Sequence, residues 1–267
     1  MKIKIVTFNL RTIYSTYDGV NSFIHRAGMI LDKMKDESPD IICFQEVGKE
    51  IRKFLQNYLI HYHIVGHGRL SDYSCEGLGV AFRKDCMELI GLEQFWLSPT
   101  PQIPGTRYEV QSEYPRTCIY AILKHKDMKT PIRVYDVHLD HEGEPARVLG
   151  IKQIFEKVKN DNAVIKFPTF VLGDFNAQPD SETVAFCDGY EDYPMKDITK
   201  DSGETFHNFG GTGHAEYARG RKIDYIYTDL DTASKVKSIK KWDDNKNGVY
   251  LSDHYPICCE VEFNENF

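Results

Sequence analysis

Apolar residues in this chain gather in short, β-branched runs that end on polar side chains, with longer stretches of helical period between some of them. Eight runs read as strands: 2–9 (KIKIVTFN), 40–46 (DIICFQE), 78–83 (LGVAFR), 118–124 (CIYAILK), 132–139 (IRVYDVHL), 167–176 (FPTFVLGDFN), 222–228 (KIDYIYT) and 255–263 (YPICCEVEF). After the first of them, Val20, Phe23, Ile24, Ala27, Ile30, Leu31 and Met34 keep the spacing of one helix face, which predicts an amphipathic helix over 20–34. Ile51, Phe54, Leu55 and Tyr58 predict a second from near Gly48, and Val148, Ile151, Phe155 and Val158 a third from near Glu144. Strands that come singly and in pairs, with helical crossovers, predict a mixed sheet or two packed sheets with helices outside. Residues 93–116, rich in Pro and aromatics, and 196–222, with five glycines, read as irregular segments of the kind that borders a site.

The totals narrow the class. A chain of 267 residues, 41% of them hydrophobic, is long enough for one large α/β domain, taken here as 1–267 and as a single copy. No run approaches the roughly 18 apolar residues a membrane helix needs, and the opening MKIKIVTFNL alternates as a strand does rather than as a signal peptide. The expectation is a soluble, cytoplasmic protein. Seven cysteines without a C-x-x-C pair fit a reducing compartment, and Cys258 and Cys259, adjacent on a strand, face opposite ways. A formal charge of −7 argues against long-range capture of a polyanion, although a local basic cleft can coexist with it.

The ends of the runs carry the chemistry. The first closes on Asn9, the second on Gln45 and Glu46, the fifth on His138, and the sixth on Asp174 and Asn176; Asp253 and His254 stand just before the last. In GDFN, alternation places residues 174 and 176 on one side and returns Phe175 to packing. Taken singly, an Asn or Asp at a strand end is a turn former. Side by side, such ends would gather at one rim, where ligands bind in α/β sheets.

Taken in order, FNL, FQE, EGLGVAFR, PRTCIYAIL, VHLDH, GDFNAQPDS, KIDYIY and LSDHYPI resemble the endonuclease/exonuclease/phosphatase superfamily, the metal-dependent phosphohydrolases related to deoxyribonuclease I. The resemblance implies a four-layered α/β sandwich, two mixed β-sheets face to face with helices outside and the site at one end. It implies Mg²⁺ or Mn²⁺ held by Asn9 and Glu46, with Asp253 as a third contributor. Asp174 matches the general base that activates water, and Asn176 the neighbour that orients the water or the phosphate. His138 and His254 match the two phosphate-contacting histidines, kept protonated by Glu76 and Asp224 respectively. Arg116 sits where the nuclease branch contacts phosphate. VHLDH resembles the His-Leu branch found in deadenylase-like, sphingomyelinase-like and many bacterial members, and there Asp140 and His141 either reach substrate or cap the helix near Pro145. The reaction so implied is in-line attack of water on a phosphodiester, with nucleic acid or a small diester as substrate; a phosphomonoester of a lipid, sugar or inositol is the alternative.

Other readings fit less well. Ser252, Asp253 and His254 are consecutive and cannot form a relay, and no G-x-S-x-G elbow exists. GGTGH is neither a dinucleotide fingerprint nor a phosphate loop. His207 and His214 read as loop histidines, and Arg219, Arg221 and Lys222 as phosphate contacts or solvated charges. A catalytically silent binding protein on the same scaffold is the rival from another class.

Overall fold

In the computed structural model, which describes residues 1–213 and 220–263, the chain forms two six-stranded sheets and a two-stranded one. The first half runs β1 (Lys2–Asn9), α1 (Phe23–Glu37), β2 (Ile41–Gln45), α2 (Lys49–Tyr58), β3 (Tyr62–Val65), β4 (Gly79–Arg83) and β5 (Met87–Trp96). The second runs β6 (Thr117–His125), β7 (Ile132–His138), α3 (Glu144–Val164), β8 (Thr169–Asp174), α4 (Glu182–Asp188), β9 (Met195–Asp197), β10 (Asp224–Asp229), β11 (Val236–Lys241), β12 (Asn245–Lys246), β13 (Val249–Tyr250) and β14 (Ile257–Glu262). One sheet has the order β11-β14-β1-β2-β4-β3 and the other β5-β6-β7-β8-β10-β9. The parallel pairs β1/β2 and β7/β8 sit inside otherwise antiparallel sheets, so both sheets are mixed.

Alternation along the strands builds the layers. Ile3 and Ile5 of β1, Ile41 and Cys43 of β2, Ile132 and Val134 of β7, and Phe170 and Leu172 of β8 meet in the layer between the sheets. Their neighbours face outward. Val6, Phe8, Ile42 and Phe44 pack on Ile30 and Met34 of α1 and Ile51 and Leu55 of α2. Tyr135, Val137 and Val171 pack on Ile151, Phe155 and Val158 of α3 and on Val184 of α4. The result is helix, sheet, sheet, helix, the four-layered sandwich expected. Cys259 falls in the middle layer and Cys258 in the helix layer, and all seven cysteines are free.

Local signals set the helix limits. A 3-10 turn, Gly19–Asn21, precedes α1, because the Asn21 side chain is used to hold the hairpin β12/β13 through Gly248 O and Tyr250 N. Ser38, left-handed with φ 45°, and then Pro39 end α1. Pro145 occupies the first turn of α3, and Ser181 Oγ accepts from Val184 N at the start of α4. Three expectations change. Helix α1 begins at Phe23 rather than at 20, with Val20 and Ile24 exposed instead of packed. The segment 93–116 is irregular only after Trp96, since its first residues complete β5, and the strand expected to reach 176 ends at Asp174.

Wholly buried Arg26 donates to Asn21 O at 2.6 Å, Leu10 O at 3.0 Å and Leu251 O at 2.7 Å. It fastens the loop after β1 to the loop before β14.

Asp136 lies at the polar end of the middle layer, fully buried, with Oδ1 accepting from Gln45 Nε2 at 2.7 Å. Burial pushes its carboxyl well above the ordinary range. A carboxyl raised by folding leaves stability fully present below its unfolded value, near 3.9, and withdraws it as pH climbs toward the folded value, at about 1.4 kcal/mol per unit. Asp136→Asn, which removes the titration, is therefore expected to raise Tm more at pH 8 than at pH 5. Equal shifts at both pH values in thermal melts would remove this account of Asp136.

Candidate active site

Register brings the polar ends together. Asn9 pairs with Gln45 across β1/β2, which sets Glu46 beside it, and His138 pairs with Asp174 across β7/β8. Asp224 stands opposite Asp174 at the start of β10. Asp253 and His254 precede β14, which runs antiparallel to β1, so they arrive at the same end; the bridge Phe206/His254 and the bond from His207 N to Asp253 O hold that loop. The side chains converge on a cavity of about 370 Å³ whose lining includes Glu46, His138, Asp174, Asn176, Asp253 and His254, together with Glu76, Arg116 and His141.

Asp174 is the centre of this cluster. Its Oδ2 accepts from Asn9 Nδ2 at 2.9 Å and lies 3.4 Å from His138 Nε2 and 3.8 Å from His254 Nε2. Its Oδ1 accepts from Asn176 N at 2.8 Å. Gly173 makes this placement feasible: its φ is +142° and a Cβ there would fall 1.9 Å from Val137 O. Asn176 is left-handed, φ 50°, and so does not continue the strand; its Nδ2 donates to Leu139 O at 3.1 Å. Glu46 accepts from Asn9 Nδ2 at 3.0 Å and from Thr12 N at 2.6 Å. Asn9 therefore turns its nitrogen toward the two carboxylates, while its Oδ1 accepts from Arg11 N at 2.9 Å. Asp253 meets Arg11 at 3.5 Å.

The two histidines differ in charge. His254 Nδ1 donates to Asp224 Oδ2 at 2.9 Å. Burial alone would strip its proton, but Asp224 and then Asp174 outweigh it and push the imidazole up to about 10. His138 was expected to be kept protonated by Glu76. Instead Glu76 pairs with Arg69 at 2.5 Å, and burial together with the Arg116 and Arg69 charges drives His138 well below its ordinary value. His138 is thereby held in its neutral form. Burial, reinforced by Asp224, raises Asp174 to about 7 against the opposing pull of His254. Glu46 ends below its usual value, because Arg11, His254 and the bonds from Asn9 and Thr12 outweigh burial, whereas burial keeps Asp253 above.

Ligand atoms of Asp174, Asp224 and His254 lie within 4.8 Å of one another. A charged imidazole has no free lone pair, so this trio reads as an ion-pair chain, and the oxygens suited to a hard cation are those of Glu46 and Asp253, with the Asn9 amide beside them.

Asp140 fits the helix-capping alternative rather than substrate contact. It is buried and outside the cavity lining, its Oδ1 accepting from Glu142 N and Gly143 N and its Oδ2 from Ser112 Oγ. It braces the turn into α3 rather than reaching substrate. His141 does line the cavity, with Nδ1 3.0 Å from Arg116 Nη2. Arg221 lines it too, over the Phe206 ring, whereas Lys222 is buried against Asp197. His207 is buried, caps one turn through Gly210 N and stacks on Tyr255. His214 and Arg219 lie outside the described residues. Sequence reasoning missed Arg11, Arg69, Tyr14 and Tyr114 in the lining; for Arg69 the signal was there in the close-set glycines of GHGRL and EGLG, which mark a tight hairpin.

The His254 charge depends on Asp224, which gives a direct check. Because folding raises this imidazole, its contribution to stability is complete below about 6.5 and disappears as pH rises through about 10. Asp224→Asn is expected to lower the His254 pKa by more than about one unit, read from imidazole NMR shifts. An unchanged titration would leave Asp174 as the partner that matters.

The sequence pattern of the Endonuclease/Exonuclease/phosphatase family matches residues 6–254. Among solved structures, an endonuclease/exonuclease/phosphatase from Bacteroides vulgatus is 28% identical with a TM-score of 0.86, covering 99% of this chain and 100% of its own. A Bacteroides thetaiotaomicron mannosyl-6-phosphatase is 24% identical with a TM-score of 0.81, covering 98% and 100%. D. rerio TDP2, complexed with a single-strand DNA product, is 19% identical with a TM-score of 0.75, covering 98% and 99%. The last two likenesses are of fold. With the match spanning nearly its whole length, and the paired sheets described above, the chain belongs to the endonuclease/exonuclease/phosphatase family.

Proposed function

We propose that this protein is a divalent-metal-dependent phosphoester hydrolase, with Mg²⁺ or Mn²⁺ as the cation, in which Asp174 activates a water for in-line attack on phosphorus. The observation that carries the reading is the setting of Asp174: a buried carboxylate raised to about 7, with one oxygen 3.4 Å from a neutral histidine and 3.8 Å from a charged one. A base works best when its pKa lies near the working pH. Membership of a family of hydrolases, with a phosphatase and a DNA-product complex among the structural neighbours, supports the same reaction class.

The donor set fits a hard cation. Among the described residues, the carboxylates Glu46, Asp174 and Asp253 line the cavity, Asp224 is bonded to the lining His254, and the cationic side chains in ion-pair contact with these acids are Arg11 and His254. That leaves an excess of negative charge, made of oxygens and free of cysteine. Glu46 and Asp253 would hold the ion, Asn9 joining them only if its Oδ1 leaves Arg11 N and turns toward the carboxylates, and the ion when bound would neutralise charge on the phosphate. Asp174 takes the proton of the attacking water. The Asn176 N–H fixes the Asp174 carboxylate, so its role is orientation. His254, charged and held by Asp224, and His138, neutral, present donors toward the oxygens on which charge builds.

Asp174→Asn keeps the shape and removes the base. Hydrolysis of p-nitrophenyl phosphate or bis(p-nitrophenyl) phosphate with Mg²⁺ is expected to fall at least about 100-fold, and so is that of His254→Ala. The Asp174→Asn Tm should hold or rise, because burial disfavours the charge that is removed. In the wild type, kcat/KM should increase with pH through about 7 as Asp174 loses its proton, then decrease toward about 10 as His254 loses its own. A fully active Asp174→Asn ends the assignment, and no turnover of any phosphoester with Mg²⁺ or Mn²⁺ would favour a silent binding protein.

A further inference from the structure

Resting on that reading, we propose that the site prefers phosphomonoesters to diesters, with Arg69 and Arg116 forming a wall that receives the third terminal oxygen of the phosphate. Sequence features alone had favoured a diester. The two guanidiniums line the same cavity as Asp174, His138 and His254, yet they are 6% and 4% exposed. Arg69 Nη2 meets Glu76 at 2.5 Å, Arg116 Nη2 lies 3.0 Å from His141 Nδ1, and Arg116 Nε is 3.9 Å from Asp140. Glu76 and Asp140 thus balance the two charges. Even so, Arg69 Nε, Arg116 Nε and Arg116 Nη1 have no hydrogen-bond partner among the described residues. Buried guanidinium N–H groups left without an acceptor are costly, and their concentration beside one cavity points to an anion as the missing partner.

Counting acceptors selects the anion. A diester offers two non-bridging oxygens. The cation side at Glu46 and Asn9, the charged His254 and the neutral His138 already present donors or charge to both. The remaining oxygens of a diester carry carbon and accept hydrogen bonds poorly. A monoester offers a third terminal oxygen and a charge near −1.5 to −2 at neutral pH, which suits two adjacent guanidiniums. The reaction is water plus the monoester dianion giving the alcohol and inorganic phosphate: the new P–O bond comes from water, the ester P–O bond breaks, one water proton passes to Asp174 and the other stays on the phosphate, and the departing oxygen takes a proton from solvent, to which Asp174 releases the one it took.

The wall is built rather than incidental. Arg69 and Glu76 face each other across a hairpin closed by the Gly68/Gly77 bridge, with Arg69 N donating to Glu76 O at 3.2 Å. A Cβ on Gly77 would fall 2.1 Å from His67 O. Trp96 Nε1 donates to Arg69 O at 2.7 Å, and the Tyr114 ring covers the Arg69 guanidinium at 4.7 Å. The side chain therefore has little freedom to turn away from the cavity.

The test compares kcat/KM for p-nitrophenyl phosphate and bis(p-nitrophenyl) phosphate, with Mg²⁺, in the wild type, Arg69→Gln and Arg116→Lys. The expected wild-type preference for the monoester is at least about tenfold, and the ratio of the two efficiencies should fall at least about tenfold in each variant. Calorimetric binding of inorganic phosphate and of dimethyl phosphate without metal supplies a second readout, with inorganic phosphate alone weakened in Arg69→Gln. Arg116→Lys keeps the charge and Arg69→Gln keeps a donor toward Glu76, and thermal melts confirm that each is folded. A wild-type preference for the diester, an unchanged ratio, or equal weakening of both anions overturns the proposal while leaving phosphoester hydrolysis intact. Absence of turnover on both esters overturns the hydrolase reading itself.

Discussion

Between the two sheets, Ile3, Ile5, Thr7 and Asn9 follow one another along a single face of β1, and the same face of β7 carries Ile132, Val134, Asp136 and His138. The face that makes the dry core is the face that makes the site. Because side chains alternate with a period of two, a slip of one residue in any of these strands would send its polar end out among the helices and its helix-facing residues into the middle layer. Packing energy spread over many apolar contacts thereby fixes the position of a few polar atoms. Thr7, Gln45 and Asp136 form the boundary, Thr7 bonded to Gln45 within one sheet and Gln45 to Asp136 across the gap between sheets.

Electrostatics then divides the cavity. Carboxylates at the ends of β2 and β8 and before β14 share few positive partners, and Asn9 bridges Glu46 and Asp174 with one amide nitrogen. Arg69 and Arg116 line the same cavity, and their charge, acting with burial, drives the His138 pKa down, while Asp224 and Asp174 drive that of His254 up. Two imidazoles lining one cavity are thus pushed in opposite directions, and the difference is set by which charges each can reach.

Much of this was legible in the chain. The central strands announced themselves by β-branched alternation, and the polar ends of 2–9, 132–139 and 167–176 marked the site. Edge strands were the ones overlooked. VKSIKK of β11 and YHIV of β3 have half-exposed faces and polar residues, which at a sheet edge discourage unwanted pairing but erase the hydrophobic signal. The buried arginines were hidden for a related reason. Nothing local in the sequence says that distant carbonyls or acids will surround Arg26 and Arg69, and Arg116 stood out only through the family resemblance. The Glu76 pairing failed on the same ground, because the competing partner, Arg69, is recognisable only once the hairpin between Gly68 and Gly77 is closed.

The neighbour of β1 on one side is β2, which follows it closely, but on the other it is β14, whose residues come last among the strands. Asp253 and His254 travel with that late arrival, and Arg26 waits for Leu251 to complete its set of carbonyls. A growing polypeptide emerging from the ribosome can therefore build most of both sheets while its hydrolytic centre still lacks a charged imidazole. The cluster is complete only once β1 and β14, the first and last strands of the described chain, have paired.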